Sequence, residues 1–212
     1  MLDHTIFNER PESQDRAIKE LQAIGYQYIP RAEAEKKRGH LSRVLFPDVM
    51  HEFLSSQSFT YRGKVCPFPD DAIGEAIREL DAPLEKGLMY ASKAVYDRLV
   101  YGKSCEIHLY DGNAQSFDIS YIDWEHPEKN IWQVTEEFLV ERLNGKFARP
   151  DIVIMVNGIP LAVIECKKAS VDVEEGVKQN VRNWQPDYIP QLFKFAQLVI
   201  AANPDTVKYG TA

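Results

Sequence analysis

The first hundred residues of the chain carry apolar positions mainly at helical spacing. Residues 11–24 place four apolar side chains on one helical face, and Gly25 ends that segment. Residues 31–104 are polar and mainly helical in pattern, and prolines separate the segments. The predicted helices of this region lie near 46–55, 70–80 and 86–101. We therefore expect residues 11–104 to form a mainly helical accessory part.

Strand-like patterns dominate from residue 105 onward. Residues 105–124 and 130–142 alternate and are rich in β-forming residues, so we expect them to join the same sheet as the segments that follow. A helix should start at Ser170 or Asp172, and Pro190 should open another. The first of these helices is predicted to bury Val173, Val177, Val181 and Trp184. Residues 198–202 read as a buried strand, which completes a mixed α/β core with helices on both faces.

Residues 150–167 contain two apolar runs around Asn157-Gly158, a dipeptide typical of a two-residue hairpin turn. Such a turn pairs residue 156 with 159 and brings Asp151 opposite residue 164. A longer loop would move that partner to residue 165 or 166. Asp151 therefore lies beside Glu165 in each register, and the strand period places Lys167 on the same face as Glu165.

Two carboxylates and an ammonium group thus converge at one end of an apolar hairpin. Buried charges of this kind need pairing or a bound cation, and paired carboxylates suit the hard cation Mg²⁺. Lys167 is placed to orient or activate a water molecule or to stabilise charge on a reacting phosphate. The backbone carbonyl of Cys166 is a further candidate metal ligand. The alternative is an ordinary surface Glu-Lys pair with an unrelated Asp.

Asp151, Glu165 and Lys167 form the pattern PD-(D/E)xK of restriction-endonuclease-like nucleases. With the Asn-Gly-Ile-Pro turn, the region resembles the amino-terminal nuclease domain of the type I restriction enzyme R (motor) subunit. Further similar segments occur in order at 73–80, 99–102, 127–130, 190–193 and 209–211.

The resemblance implies a restriction-endonuclease-like α/β fold, a mixed sheet flanked by helices. It makes residues 1–212 a single endonuclease domain, with 105–212 as nuclease core and 11–104 as accessory part. It also implies a fragment of a longer chain, with carboxy-terminal helicase and translocase domains. No GxxxxGK[ST] occurs in this chain, so ATP should bind only the full-length protein.

The function implied by the resemblance is Mg²⁺-dependent hydrolysis of double-stranded DNA in an ATP- and translocation-dependent complex. The partners would be DNA and the specificity and methyltransferase subunits. Asp151 and Glu165 would bind metal, and Lys167 would act on the attacking water. Three further residues are candidates by resemblance: Glu12 as the acid of the opening helix, with Asp15 and Glu20 as alternatives, Gln179 as a positioning group and Arg149 as a phosphate contact. The alternative for Arg149 is a structural role, in strand-end packing or as the partner of a carboxylate. The position at which the family acid aligns holds Gln14.

Composition limits these expectations. The net charge of −7 disfavours independent, tight DNA binding, since such binding depends on Lys and Arg. No apolar run approaches a membrane span, and the three cysteines lack metal-ligand spacing, which indicates a cytoplasmic protein with reduced thiols. Two other functions remain open: a stand-alone or repair nuclease of the same pattern, and a non-catalytic DNA-clamping or assembly module on the same fold.

Overall fold

The computed structural model describes residues 12–142 and 144–212, and it does not describe the side chain of Glu12. The helices are α1 (Glu12–Ala23), α2 (Arg31–Arg38), α3 (Pro47–Ser55), α4 (Asp70–Leu80), α5 (Leu88–Tyr101), α6 (Val173–Asn183) and α7 (Pro190–Phe193). The strands are β1 (Gln27–Ile29), β2 (Ser58–Tyr61), β3 (Lys64–Pro67), β4 (Lys103–His108), β5 (Ala114–Ile119), β6 (Trp132–Glu136), β7 (Val140–Glu141), β8 (Phe147–Ala148), β9 (Ile152–Val156), β10 (Ile159–Cys166), β11 (Leu198–Ala202) and β12 (Val207–Thr211). No helix in the described ranges is long and apolar enough to cross a membrane.

Six of these strands form one mixed sheet in the order β1-β6-β9-β10-β11-β12. The pairs β1–β6 and β10–β11 are parallel, and the other neighbours are antiparallel. Helices cover both faces of the sheet. The predicted α/β fold of the restriction-endonuclease-like type is thereby confirmed.

The two faces of the sheet meet different helices. On one face, Ile18 of α1 packs in an apolar cluster with Ile152 and Ile164. On the other face, α6 lies so close that a Cβ on Gly176 would sit 2.9 Å from the Cβ of Ala201. Helices α3, α4 and α5 and the hairpin β4–β5 share a larger core with Val153 and Val163. The side chains of β10 therefore alternate between the two packed layers, and both of its faces are covered.

The turn of the β9–β10 hairpin has the geometry that its sequence predicts. Asn157 and Gly158 both adopt positive φ, at 51° and 80°. The Asn157 side chain is buried, accepts from Ile131 N at 2.7 Å and donates to the carbonyl of Tyr121 at 3.0 Å. Phe46 N donates to the carbonyl of Gly158 at 2.9 Å. The turn is consequently fixed inside the protein and cannot slip in register.

A bulge changes the register further along this hairpin. Val156 pairs with Ile159, but Ile152 pairs with Ile164, because Leu161 is an extra residue in β10. The bulge follows Pro160, which has no N–H to donate to the ladder. Continuing the observed register by one position places Asp151 opposite Glu165. The two-residue turn without a bulge would have put Asp151 opposite Ile164.

The structure corrects the predicted division into accessory and core parts. Strand β1 pairs with β6 in the central sheet, and α1 covers one face of it, so residues 12–29 share the core that contains β9 and β10. Conversely, β4 and β5 form a separate two-stranded hairpin instead of joining that sheet. Their alternation was read correctly as strands. A pattern of alternation gives no information about which strand is the partner.

Two further expectations differ from the structure. The predicted helical region contains the hairpin β2–β3, whose turn residues Arg62 and Gly63 both have positive φ, and Arg is not a usual signal at that turn position. The buried face of α6 comprises Val173, Gly176, Asn180 and Asn183, whereas Val181 is 44% exposed. Val173 is buried as predicted, but the helix is rotated further along, where Gly176, Asn180 and Asn183 rather than Val181 approach the sheet.

Replacement of Gly176 by Ala should destabilise the fold despite the higher helix propensity of Ala. The new methyl group would press on the buried Cβ of Ala201, and overpacking of this kind costs about 1–3 kcal/mol. The matched control is Gly74→Ala in α4, where the new group meets only the flexible end of Arg78 at 3.3 Å. That control should be neutral or stabilising by up to about 1 kcal/mol. Urea unfolding measures both, and equal effects would show that α6 does not depend on close contact.

Candidate active site

The candidate site lies at the open end of the β9–β10 hairpin. Asp151 immediately precedes β9, Glu165 lies near the end of β10, and Lys167 follows that strand. Cys166 N donates a hydrogen bond of 2.7 Å to Asp151 Oδ2, which fixes the first carboxylate across the strand pair. The structure therefore brings together the three residues on which the predicted site depends.

Glu165 is fully buried, with 0% of its surface exposed. Its Oε2 accepts from Gln179 Nε2 at 2.5 Å and lies 4.0 Å from Lys167 Nζ. Its other oxygen, Oε1, accepts no hydrogen bond from any described residue. A buried carboxylate oxygen without a partner is costly unless a proton or a cation accompanies it.

Both carboxyl groups have raised pKa values. Burial is the main cause at Glu165, where it raises the pKa well above the usual value, and the nearby Asp151 charge raises it further. Burial also raises the pKa of Asp151, against the opposing effects of the Cys166 N–H and the Lys167 charge. Without a cation, burial and mutual repulsion therefore both favour a proton on the pair over full ionisation.

Gln179 links Glu165 to Lys167. Lys167 Nζ donates to Gln179 Oε1 at 2.7 Å, while the amide nitrogen of Gln179 donates to Glu165. The Lys167 backbone is also held, since its N–H donates to the carbonyl of Ala202 at 2.7 Å. The Gln179 amide thus orients the lysine and the carboxylate simultaneously.

Helix α6 brings Gln179 to this position. Asp172 caps the helix by accepting from Glu174 N at 3.0 Å, which fixes where it begins. The missing side chain of Gly176 then lets α6 approach strand β10 closely, since a Cβ on Gly176 would already lie 3.5 Å from Glu165 Cβ. Gln179 follows three residues later and so lies on the adjacent part of the same helical surface.

Helix α1 supplies contacts that the sequence did not reveal. Ser13 Oγ donates to the carbonyl of Lys167 at 3.0 Å, and Gln14 Nε2 donates to the carbonyl of Asp151 at 3.1 Å. Gln14 is fully buried, and its Oε1 has no partner among the described residues. The available signal was spacing, since Gln14 lies four residues before the buried Ile18. The candidate Glu12 begins this helix, but its side chain lies outside the described part.

Two other candidates are placed as follows. Arg149 forms an ion pair with Glu137. A carboxylate partner of this kind is what a structural role for Arg149, rather than a phosphate contact, predicts. The Cys166 side chain is buried in the apolar cluster of α1, on the face opposite Glu165. A contact between a metal and the Cys166 carbonyl stays a prediction.

The donor set fits a hard divalent cation. Two adjacent carboxylates face each other, and one oxygen of the buried member lacks any partner in the described structure. Within residues 12–142 and 144–212, no group of three or more His, Cys, Asp and Glu side chains forms a metal-ligand cluster. A cation at this position would therefore complete its coordination with backbone oxygens, water or substrate, as Mg²⁺ commonly does.

The chain matches a known protein family. A family model described as the type I restriction enzyme R protein N terminus matches residues 6–212. The chain belongs to this family. The aligned region spans only part of the length of the curated relatives that it matches.

Three relatives illustrate the similarity. The putative type I restriction enzyme MjaIXP endonuclease subunit of Methanocaldococcus jannaschii is 32% identical over 121 residues, which cover 56% of this chain and 12% of that protein. The type I restriction enzyme HindI endonuclease subunit of Haemophilus influenzae is 24% identical over 203 residues, which cover 92% of this chain and 18% of that protein. The type I restriction enzyme EcoprrI endonuclease subunit of Escherichia coli is 26% identical over 195 residues, which cover 91% of this chain and 55% of that protein.

The raised pKa of Glu165 predicts a pH dependence of stability in metal-free protein. A folded-state pKa above the unfolded value means that the unfolded chain releases its proton first as pH rises. Stability conferred by the protonated form is therefore present below the unfolded pKa and is lost as pH rises through the folded pKa. Glu165→Gln should reduce this loss, and Asp151 should leave a residual dependence.

Chemical unfolding with a chelator, from about pH 4 to 8, measures this effect. Glu106→Gln is the control, because Glu106 lies exposed on strand β4. A Glu165→Gln variant with the same pH profile as the unmodified chain would show that Glu165 ionises in the fold without penalty.

Proposed function

We propose that this chain is the Mg²⁺-dependent endonuclease domain of a type I restriction enzyme R subunit. On this proposal it hydrolyses phosphodiester bonds of double-stranded DNA within an ATP- and translocation-dependent complex. The observation that carries the proposal is the buried Asp151–Glu165 pair with its unpartnered oxygen beside a lysine held by Gln179. The names of the relatives as endonuclease subunits support it.

Asp151 and Glu165 would hold the magnesium ion, with the Cys166 backbone carbonyl as a third oxygen ligand. When bound, the ion would supply positive charge to the phosphate and would increase the acidity of a water molecule. The raised pKa values favour this assignment, because a cation removes the electrostatic penalty of ionising both acids.

Lys167 would act on the attacking water and on the developing charge of the phosphate. Its side chain is 18% exposed and lines the cavity beside the site. Gln179 would position the ammonium group, since Gln179 Oε1 accepts one of the three ammonium protons and leaves the others available. The amide of Gln179 would also limit rotation of Glu165.

ATP-driven translocation and DNA recognition would reside outside this chain, in the remainder of the R subunit and in the specificity and methyltransferase subunits. The chain corresponds to 12% and 18% of two of its longer relatives. The net charge of −7 also favours delivery of DNA by other domains, since phosphate binding at physiological salt requires an excess of Lys and Arg.

Lys167→Ala should abolish DNA cleavage without unfolding the domain. Loss of a group that acts on proton transfer or transition-state charge lowers such rates by about 100- to 10,000-fold. The test is plasmid cleavage by the assembled restriction complex with ATP, together with ATPase rate and thermal unfolding. Lys36→Ala removes an exposed lysine of α2 and is the charge-matched control. Normal cutting by the Lys167 variant would remove this residue from the mechanism.

The isolated 212-residue chain should be a poor nuclease on linear DNA, even with Mg²⁺. Its acidic balance gives little attraction for a polyanion, and addition of the downstream domains, partner subunits and ATP should restore cleavage. A gel assay over a salt series compares DNA cleavage by the isolated chain with cleavage by the assembled complex. Efficient ATP-independent cutting by the chain at physiological salt would instead favour a stand-alone nuclease.

A further inference from the structure

A cavity of about 400 Å³ opens beside the candidate active site. Its lining residues are Lys167, Val171, Glu175, Lys178, Gln179 and Arg182. Lys167 and Gln179 belong to the site itself, so the cavity is continuous with it. Three of the six side chains are cationic, which is unusual in a chain with a net charge of −7.

The cationic wall is one face of α6. Glu175, Lys178, Gln179 and Arg182 follow the spacing i, i+3, i+4 and i+7, which aligns them along one side of the helix. The adjacent side of α6, with Gly176, is packed on the sheet. The rotation that brings Gln179 to Glu165 therefore also directs these cations to the same side as the site.

The charges of this wall are not equally available. Lys178 Nζ lies 2.7 Å from Glu175 Oε1, and that ion pair offsets one positive charge with the only acid of the lining. Arg182 is exposed and forms no ion pair with any acid in the described ranges. Its guanidinium contributes to the electrostatic environment of Glu165, where it opposes the effect of burial. Arg182 is thus the one cation of the lining that no carboxylate within the described ranges pairs with.

An aromatic residue holds Arg182 near this position. The Arg182 guanidinium lies 5.2 Å from the centroid of the Tyr188 ring. Arg142 lies over the same ring at 3.9 Å, and its Nε donates to the carbonyl of Asp187 at 2.9 Å. The ring is therefore fixed from the side of Arg142, and it restricts Arg182 without neutralising its charge.

We infer that this cavity is a subsite for a DNA backbone phosphate next to the cleaved one, with Arg182 as its principal ligand. The identification of the anion as DNA rests on the proposed nuclease function. A guanidinium group binds a phosphate through two parallel hydrogen bonds, and an exposed arginine without a carboxylate partner is free to do so. A phosphate held there would keep the strand against Lys167, which lines the same cavity.

The inference is tested by binding, with no cleavage required. The probe is a fluorescein-labelled DNA duplex of arbitrary sequence, titrated with the 212-residue chain at low salt and in a chelator, and followed by anisotropy. Arg182→Gln should weaken binding on the order of tenfold at low salt and should reduce the slope of log affinity against log salt by about 0.9. Arg182→Lys retains the charge and should keep the slope.

The matched control is Arg78→Gln, which removes an exposed arginine from α4 and changes the net charge equally. Binding by the Arg78 variant should equal that of the unmodified chain. Equal binding by the two Gln variants, or undetectable binding by the unmodified chain at low salt, would overturn the subsite. Asp151→Asn separates this inference from the proposed function, because that variant should lose cleavage in the assembled enzyme but should retain the dependence of binding on Arg182.

Discussion

Asp151 and Glu165 face each other across two strands whose remaining side chains are mostly apolar, and the rest of the site is arranged around that contact. Burial and mutual repulsion both favour the neutral acids, so the ionised pair is stable only with compensation. The protein supplies part of it, through the Cys166 N–H at Asp151 and the Gln179 amide at Glu165. One Glu165 oxygen stays without a partner. Unfavourable arrangements of this kind persist mainly where function requires them.

Two local features of the backbone create the contact. The bulge at Leu161 shifts the hairpin by one residue, so that acid meets acid instead of acid meeting Ile164. The lack of a side chain at Gly176 lets α6 approach Glu165 closely enough for Gln179 to reach it. Neither feature carries chemistry itself. The bulge places the two carboxylates directly opposite each other, because a shift of one residue in a strand moves a side chain to the other face of the sheet.

The sequence predicted the parts of the site that depend on local pattern. The Asn-Gly turn, the adjacency of Asp151 to Glu165 and the positions of α3 to α5 follow from short-range periodicity and turn chemistry. It did not predict the bulge, the separate β4–β5 hairpin or the rotation of α6, since these depend on which surfaces meet in three dimensions. Gln179 was recognised from family resemblance, whereas the contacts of Ser13 and Gln14 with the motif backbone emerged only from the structure.

The orientation of α6 places the acidic and the basic groups of the site in different positions. The buried carboxylates lie beneath the helix, and the cations of the helix lie at the mouth of the cavity. A phosphate approaching Glu165 without a cation would meet a negative charge, while Arg182 attracts the strand from outside. On the proposed function, metal and DNA would each reduce the electrostatic cost of binding the other, and such coupling is reciprocal by thermodynamic necessity. A domain with an overall negative charge can then attract DNA at one helix face. The remaining electrostatic attraction for DNA would come from other parts of a larger assembly.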